Sequence, residues 1–271
     1  MFEMLQYDFL VRALIVGLLV SVCASLLGVS LVLKRYSMIG DGLSHVGFGA
    51  LAVASALNLA PLHVSIPVVM LAAFVLIKIS SGGKIKGDAA IALLSSSAMA
   101  IGIIILSKTN SGADMNSYMF GSIMAISNDD LVLSVICSVV VIALFVLFYN
   151  KIFGVTFDEG FSKATGVKAD LYNTVLALLT ALTVVVGMRI MGALLISSLI
   201  IFPALTSMRV FRSFKGVTIC SALVASVCYI IGMEVTYNMD LPAGASVVVV
   251  NLGAFLLFAF IGLFIRRQRK G

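Results

Sequence analysis

Charge is scarce in this 271-residue chain: Asp, Glu, Lys and Arg together make up 11% of it, against 61% hydrophobic residues. So little charge cannot cover an aqueous surface, which excludes an ordinary soluble domain and makes the chain an integral membrane protein. The net charge of +6 does not point to nucleic acid, because the basic residues sit in short clusters between apolar runs, where they read as topology signals. With two histidines in all, and no Ser-His-Asp or paired-carboxylate arrangement, an enzyme is not expected. Cys23, Cys137, Cys220 and Cys228 lie within apolar segments and form no CxxC pair, so they read as packing residues rather than disulfides or metal ligands. A nucleotide motif is missing too. The one lookalike, SGGKIKG at 81–87, lacks the first glycine at the required spacing and the Ser or Thr after its lysine, so any ATP chemistry belongs to another chain.

No linker or low-complexity block divides residues 1–271, and a single transmembrane domain is expected. The start, MFEMLQYDF, has neither a basic region nor a small-residue cleavage site, so the first apolar segment reads as a span rather than a signal peptide. Apolar windows of about 20 residues, the length that crosses the hydrocarbon core, lie near 10–33, 38–59, 62–80, 88–107, 129–149, 171–188, 190–208, 215–235 and 243–265. The weakest division is at Gly187-Met188-Arg189, so eight or nine spans are expected. With nine alternating spans, the clusters at Lys34/Arg35, Lys78/Lys84/Lys86, Lys151/Lys163/Lys168, Arg209/Arg212/Lys215 and Arg266/Arg267/Arg269/Lys270 fall on one side. That side is the cytoplasm, which puts the C-terminus inside.

Two polar side chains interrupt the second window. Asp41 and His45 are four residues apart, so on a helix they share one face and can share one ion. Counted along a helix from Arg35, His45 lies about 15 Å deep, where ionisable groups mark an ion, proton or substrate path; an Asp–His hydrogen bond that only fixes packing is the alternative. A carboxylate oxygen with an imidazole nitrogen suits Zn²⁺, Mn²⁺ or Fe²⁺ better than Cu(I). Two ligands are too few for a complete site, but two copies of the chain across a two-fold axis would supply two of each. His63 reads as a surface histidine or as a ligand at the outer mouth of the path.

The longest polar interruption with helical punctuation is 154–173. Thr156 or Asp158 can cap a helix there and Gly166 can end it. Phe157, Phe161 and Ala164 fall at i, i+4 and i+7, an apolar stripe outside the membrane that fits either a partner's groove or the lipid interface.

The stretches LVLKRYSMIGDGLSHVGFGALA, FDEGFSKATGV, GMRIMGALLISSLIIFPALTS and LPAGASVVVVNLGAFLLF, in that order along the chain, resemble the membrane subunit of the metal-ion ABC importers, the zinc and manganese uptake permeases. The resemblance implies an all-α polytopic helix bundle of the type II ABC importer kind that works as a homodimer. It implies an ATP-driven importer of zinc, manganese or iron in the cell membrane, with no permanently bound cofactor. Its partners would be a cytoplasmic ATP-binding cassette subunit and an extracytoplasmic metal-binding protein. Asp41 and His45 match the family's intramembrane metal positions. A coupling helix near 156–166, carrying Phe157, Asp158, Phe161, Ala164 and Gly166, would dock the ATPase, and a loop from Glu234 to Asp240 would help receive the binding protein. Gly192 and Pro203 are candidate bending points, or ordinary packing residues. A proton-coupled secondary transporter, with Asp41 and His45 as the relay, is the rival reading, and a non-transporting scaffold is the third.

Overall fold

The computed structural model describes residues 6–81, 87–108, 121 and 127–268. Lys84, Lys86, Arg269 and Lys270, and most of the 111–128 connection, lie outside the described residues. Among the described residues there are eleven helices and no strand: α1 (Asp8–Leu33), α2 (Ile39–Ala56), α3 (Pro61–Ser81), α4 (Gly87–Lys108), α5 (Asn128–Leu147), α6 (Tyr149–Phe157), α7 (Glu159–Ala164), α8 (Ala169–Met191), α9 (Ala193–Ser207), α10 (Phe214–Met239) and α11 (Ala243–Gln268). In a bilayer this is the expected outcome, because a helix satisfies its backbone internally.

Seven of these helices, α1, α3, α4, α5, α8, α10 and α11, are long and apolar enough to cross a membrane. The other two apolar windows form shorter helices. α9 has 15 residues, a rise of about 22 Å, and α2 has 18, diluted by Asp41, His45 and four glycines near its start. Both are packed inside. α1 is the central post, with 67% of its apolar window buried, whereas α4 and α11 bury only 17% and turn the rest outward. α1 touches α5, α8, α9 and α10, while α2 lies among α3, α4, α8 and α9.

Small residues bring the inner helices together, as expected where lipid offers no hydrophobic drive between them. A Cβ on Gly28 of α1 would lie 2.0 Å from the Ile200 carbonyl oxygen of α9, and one on Gly49 of α2 would lie 2.7 Å from the Ala98 oxygen of α4. Hydrogen bonds then tie α1 to α10: the buried Tyr229 hydroxyl donates to the Ala13 oxygen at 2.8 Å, and Ser221 donates to the Ser25 oxygen at 3.2 Å.

The α1–α2 connection is tight. Tyr36 N–H donates to the Leu31 oxygen at 2.8 Å and Arg35 N–H to the Val32 oxygen at 3.1 Å, with Arg35 at φ 62°, which is a Schellman motif carried by a non-glycine residue. Near the far end of α8 the chain remains helical through Gly187, Met188 and Arg189, and the break expected there falls at Gly192 instead. Gly192 has φ 85° and ψ 160°, which glycine reaches without Cβ strain. Pro203 lies within α9, which continues to Ser207.

Candidate metal-transit site

Along α2 from Ile39 to Ala52 every side chain is buried except those of Asp41 and His45. His45 Nε2 lies 3.6 Å from Asp41 Oδ2, and the two retain 29% and 44% side-chain exposure respectively. The i, i+4 spacing therefore produces a polar stripe, open on the outside of this copy, on a helix otherwise enclosed. The first turn of a helix carries partial positive charge, which favours the Asp41 carboxylate there.

The count along the sequence started the helix too early. The helix does not run from Arg35; it starts at Ile39, so His45 lies six residues, about 9 Å, from the helix start. α2 begins beside the middle of α9. Ile200, midway along α9, would meet a Cβ on Gly40 at 2.5 Å and one on Gly28 at 2.0 Å. From one turn away, the Ser197 hydroxyl reaches Asp41 Oδ1 at 3.4 Å and the Ala193 carbonyl at 3.1 Å. Ser197 is an oxygen donor that sequence reasoning missed, since nothing local links residues so far apart.

Among the described residues no three His, Cys, Asp or Glu side chains cluster as a metal site. One copy thus offers a carboxylate, an imidazole and a hydroxyl, hard to borderline donors that suit a divalent first-row ion but leave it under-coordinated. His63 is exposed near the start of α3.

The 154–173 segment is two helices rather than one. Asp158, at φ −147° and ψ 96°, separates α6 from α7 and accepts the Phe161 N–H at 2.8 Å, so of the two candidate caps Asp158 serves. Thr156 donates instead to the Ile152 oxygen within α6. Gly166, at φ 82°, ends α7 in a Schellman motif, with Val167 N–H on the Ser162 oxygen at 2.9 Å. The stripe is accordingly split. Phe161 and Ala164 lie on α7, and Phe157 closes α6, where its ring packs 5.0 Å from that of Phe153 and 6.0 Å from that of Phe214. Phe157, Asp158, Phe161, Ala164 and Gly166 are all exposed.

Glu234 and Asp240 do not share a loop either. α10 continues to Met239, with Glu234 half-buried in its last turns and Asp240 exposed as the left-handed cap at φ 49°.

A family model described as the ABC 3 transport family matches residues 6–262. The chain belongs to this family. It is similar to the manganese import system permease protein ScaB of Streptococcus gordonii, 29% identical over 256 residues that cover 94% of this chain and 92% of that one. It is also similar to the manganese transport system membrane protein MntC of Listeria monocytogenes, 27% identical over 271 residues, with 98% and 97% covered. A solved structure, PsaBC from Streptococcus pneumoniae in complex with Fab, matches with a TM-score of 0.84 at 29% identity over 94% of both chains. The resemblance to metal-ion ABC importer permeases is thereby borne out. The chain is a membrane permease subunit and not itself an enzyme, the ATPase being a separate subunit.

Proposed function

We propose that this permease conducts a divalent transition-metal ion, manganese in the first place, inward across the cell membrane as one half of a homodimer. Asp41 and His45 from both copies hold the ion in transit, and Ser197 orients Asp41. The observation that carries this reading is the polar stripe of α2, a carboxylate and an imidazole 3.6 Å apart on a helix otherwise buried from Ile39 to Ala52. Such groups are expensive inside a membrane unless they face an ion path, and a site shared between copies can be broken to release its cargo. The manganese-transporting relatives support that metal over zinc.

In this reading all nine apolar helices span, the short α2 and α9 included, as parts of one transmembrane domain. The basic connections and the C-terminus then face the cytoplasm, where an ATP-binding cassette subunit docks on the patch of Phe157, Asp158, Phe161, Ala164 and Gly166. A metal-binding protein delivers from the opposite face, near Glu234 and Asp240. Membership in an ABC family counts against the proton-driven alternative. Uptake of manganese, zinc and iron in competition, into proteoliposomes holding permease and ATPase, tests the site. Asp41→Asn and His45→Ala should abolish uptake while the ATPase still co-purifies; uptake at the wild-type rate in either variant refutes the assignment.

A further inference from the structure

Where α1 ends and α7 begins, five polar side chains join three helices. Lys34, which caps α1, donates from Nζ to Asn173 Oδ1 of α8 and lies 3.7 Å from Glu159 Oε2, on the first residue of α7. Asn173 Nδ2 donates to the same Glu159 oxygen at 3.0 Å. Lys163 of α7 closes the group, 3.0 Å from Glu159 Oε1 and 3.0 Å from Asp170 Oδ1.

The outer contacts differ in weight from the inner one. Lys163 and Asp170 keep 48% and 78% exposure, and pairs that open contribute little. Lys34 keeps 9%, so its ammonium has given up most of its water and depends on Asn173 and Glu159 for compensation. Burial pulls the Lys34 ammonium below its ordinary range, and the Glu159 charge works against that fall.

The same two residues, Lys34 and Asn173, line a small solvent-open cleft together with Leu31, Tyr36, Ile39 and Leu176. Ile39 is the first residue of α2, two before Asp41. The link from Lys34 to Ile39 is hydrogen-bonded at both ends, Tyr36 N–H to the Leu31 oxygen at 2.8 Å and Ile39 N–H to the Tyr36 oxygen at 3.0 Å, so one short backbone turn joins the clasp to the start of α2.

We infer that Glu159, Lys34 and Asn173 form a clasp through which movement of α7 is passed to the start of α2, making Glu159 and Lys34 positioning residues for Asp41. This rests on the reading of α7 as the ATPase docking element. Glu159 sits beside the patch residue Asp158 but turns its carboxylate to Lys34, Asn173 and Lys163; the clasp sets how much of the push on α7 reaches the site.

The test uses the complete permease–ATPase complex in proteoliposomes and reads manganese imported per ATP hydrolysed, alongside co-purification of the ATPase. Glu159→Ala should keep the ATPase bound and hydrolysing, but import about tenfold less metal per ATP. The charge swap Lys34→Glu with Glu159→Lys should recover part of that ratio. A purely structural role would lower protein yield and leave the ratio alone. An unchanged ratio in Glu159→Ala, a loss matched by release of the ATPase, or a swap no better than Glu159→Ala overturns the clasp while leaving the proposed function standing. Absence of ATP-driven manganese import by the wild type overturns both.

Discussion

Arg189, near the end of α8, places Nη2 2.9 Å from Asp130 Oδ2, in the first turn of α5. The two side chains keep only 22% and 14% exposure, and Arg189 Nη1 is buried without a hydrogen-bond partner among the described residues. Asp130→Ala would leave a mostly desolvated guanidinium unpaired, at a cost of about 3 kcal/mol. The melting temperature of the purified permease should fall clearly, and replacing both residues with apolar ones should recover most of the loss. An unchanged melting temperature for Asp130→Ala would show that the pair contributes nothing.

In the proposed transit site, Ser197 would act through Asp41, whose Oδ1 its hydroxyl reaches at 3.4 Å. Loss of its hydroxyl should leave the carboxylate free to turn, weakening metal capture by about tenfold, the scale on which supporting hydrogen bonds tune ligands. Ser197→Ala should therefore raise the metal concentration for half-maximal uptake with the maximal rate preserved, and Ser197→Thr, which keeps a hydroxyl, should stay near wild type. Equal half-saturation for wild type and Ser197→Ala would remove Ser197 from the site.

Asp41 and His45 were legible because polar residues are rare in an apolar run and their spacing selects one helical face. Gly166 was legible for a similar reason, as helix-ending glycine follows a local rule. What stayed hidden needed tertiary placement. Ser197 and Asp41 meet across 156 positions of sequence, and Lys34, Asn173 and Glu159 belong to three helices. Local competition hid the rest. Thr156 and Asp158 are both good caps, and Phe157 keeps its spacing to Phe161 whether or not a helix boundary lies between them. Gly187 and Gly192 look alike in sequence, yet a Cβ on Gly187 would meet Ile196 at 2.6 Å, a packing role, whereas Gly192 supplies a positive φ.

Phe161 is 66% exposed at the surface of α7, and its ring has room to enter a groove. Phe161→Asp should cost the ATPase contact about 2 kcal/mol or more, the range of a buried interface anchor, so that the two subunits no longer co-purify while metal binding persists. Phe157→Asp should lower thermal stability as well, because the Phe157 ring also packs on Phe153 and Phe214. Undiminished co-purification with Phe161→Asp would move the docking face elsewhere.

Gly28 has no space for a methyl group: the obstacle is the Ile200 backbone oxygen, 2.0 Å from the Cβ position, which cannot turn aside as a side chain would. Gly28→Ala should force α1 and α9 apart and cost about 3 kcal/mol or more, seen as loss of monodisperse protein. Among the described residues nothing lies within 4 Å of the Cβ position of Gly253 in α11, so Gly253→Ala should be tolerated. A well-behaved Gly28→Ala protein would contradict the close approach of the two helices.

Glu159 gives the clasp a pH dependence whose sign is fixed. Burial tends to raise its pKa, but hydrogen bonds from Lys163 and Asn173 and the charges of Lys34 and Lys163 outweigh that and hold it below the ordinary 4.5. A depressed carboxylate contributes its stabilisation in full above that ordinary value and loses it as pH falls through the folded one. With Glu159 42% exposed, solvent screens part of the effect. Attachment of α7 should hold at neutral pH and loosen on acidification below about 4.5, and Glu159→Gln should remove most of that dependence. Amide hydrogen exchange in 159–165, corrected for the intrinsic pH effect, reads this directly; the same acid-induced loss of protection in wild type and Glu159→Gln would assign the loosening to another group.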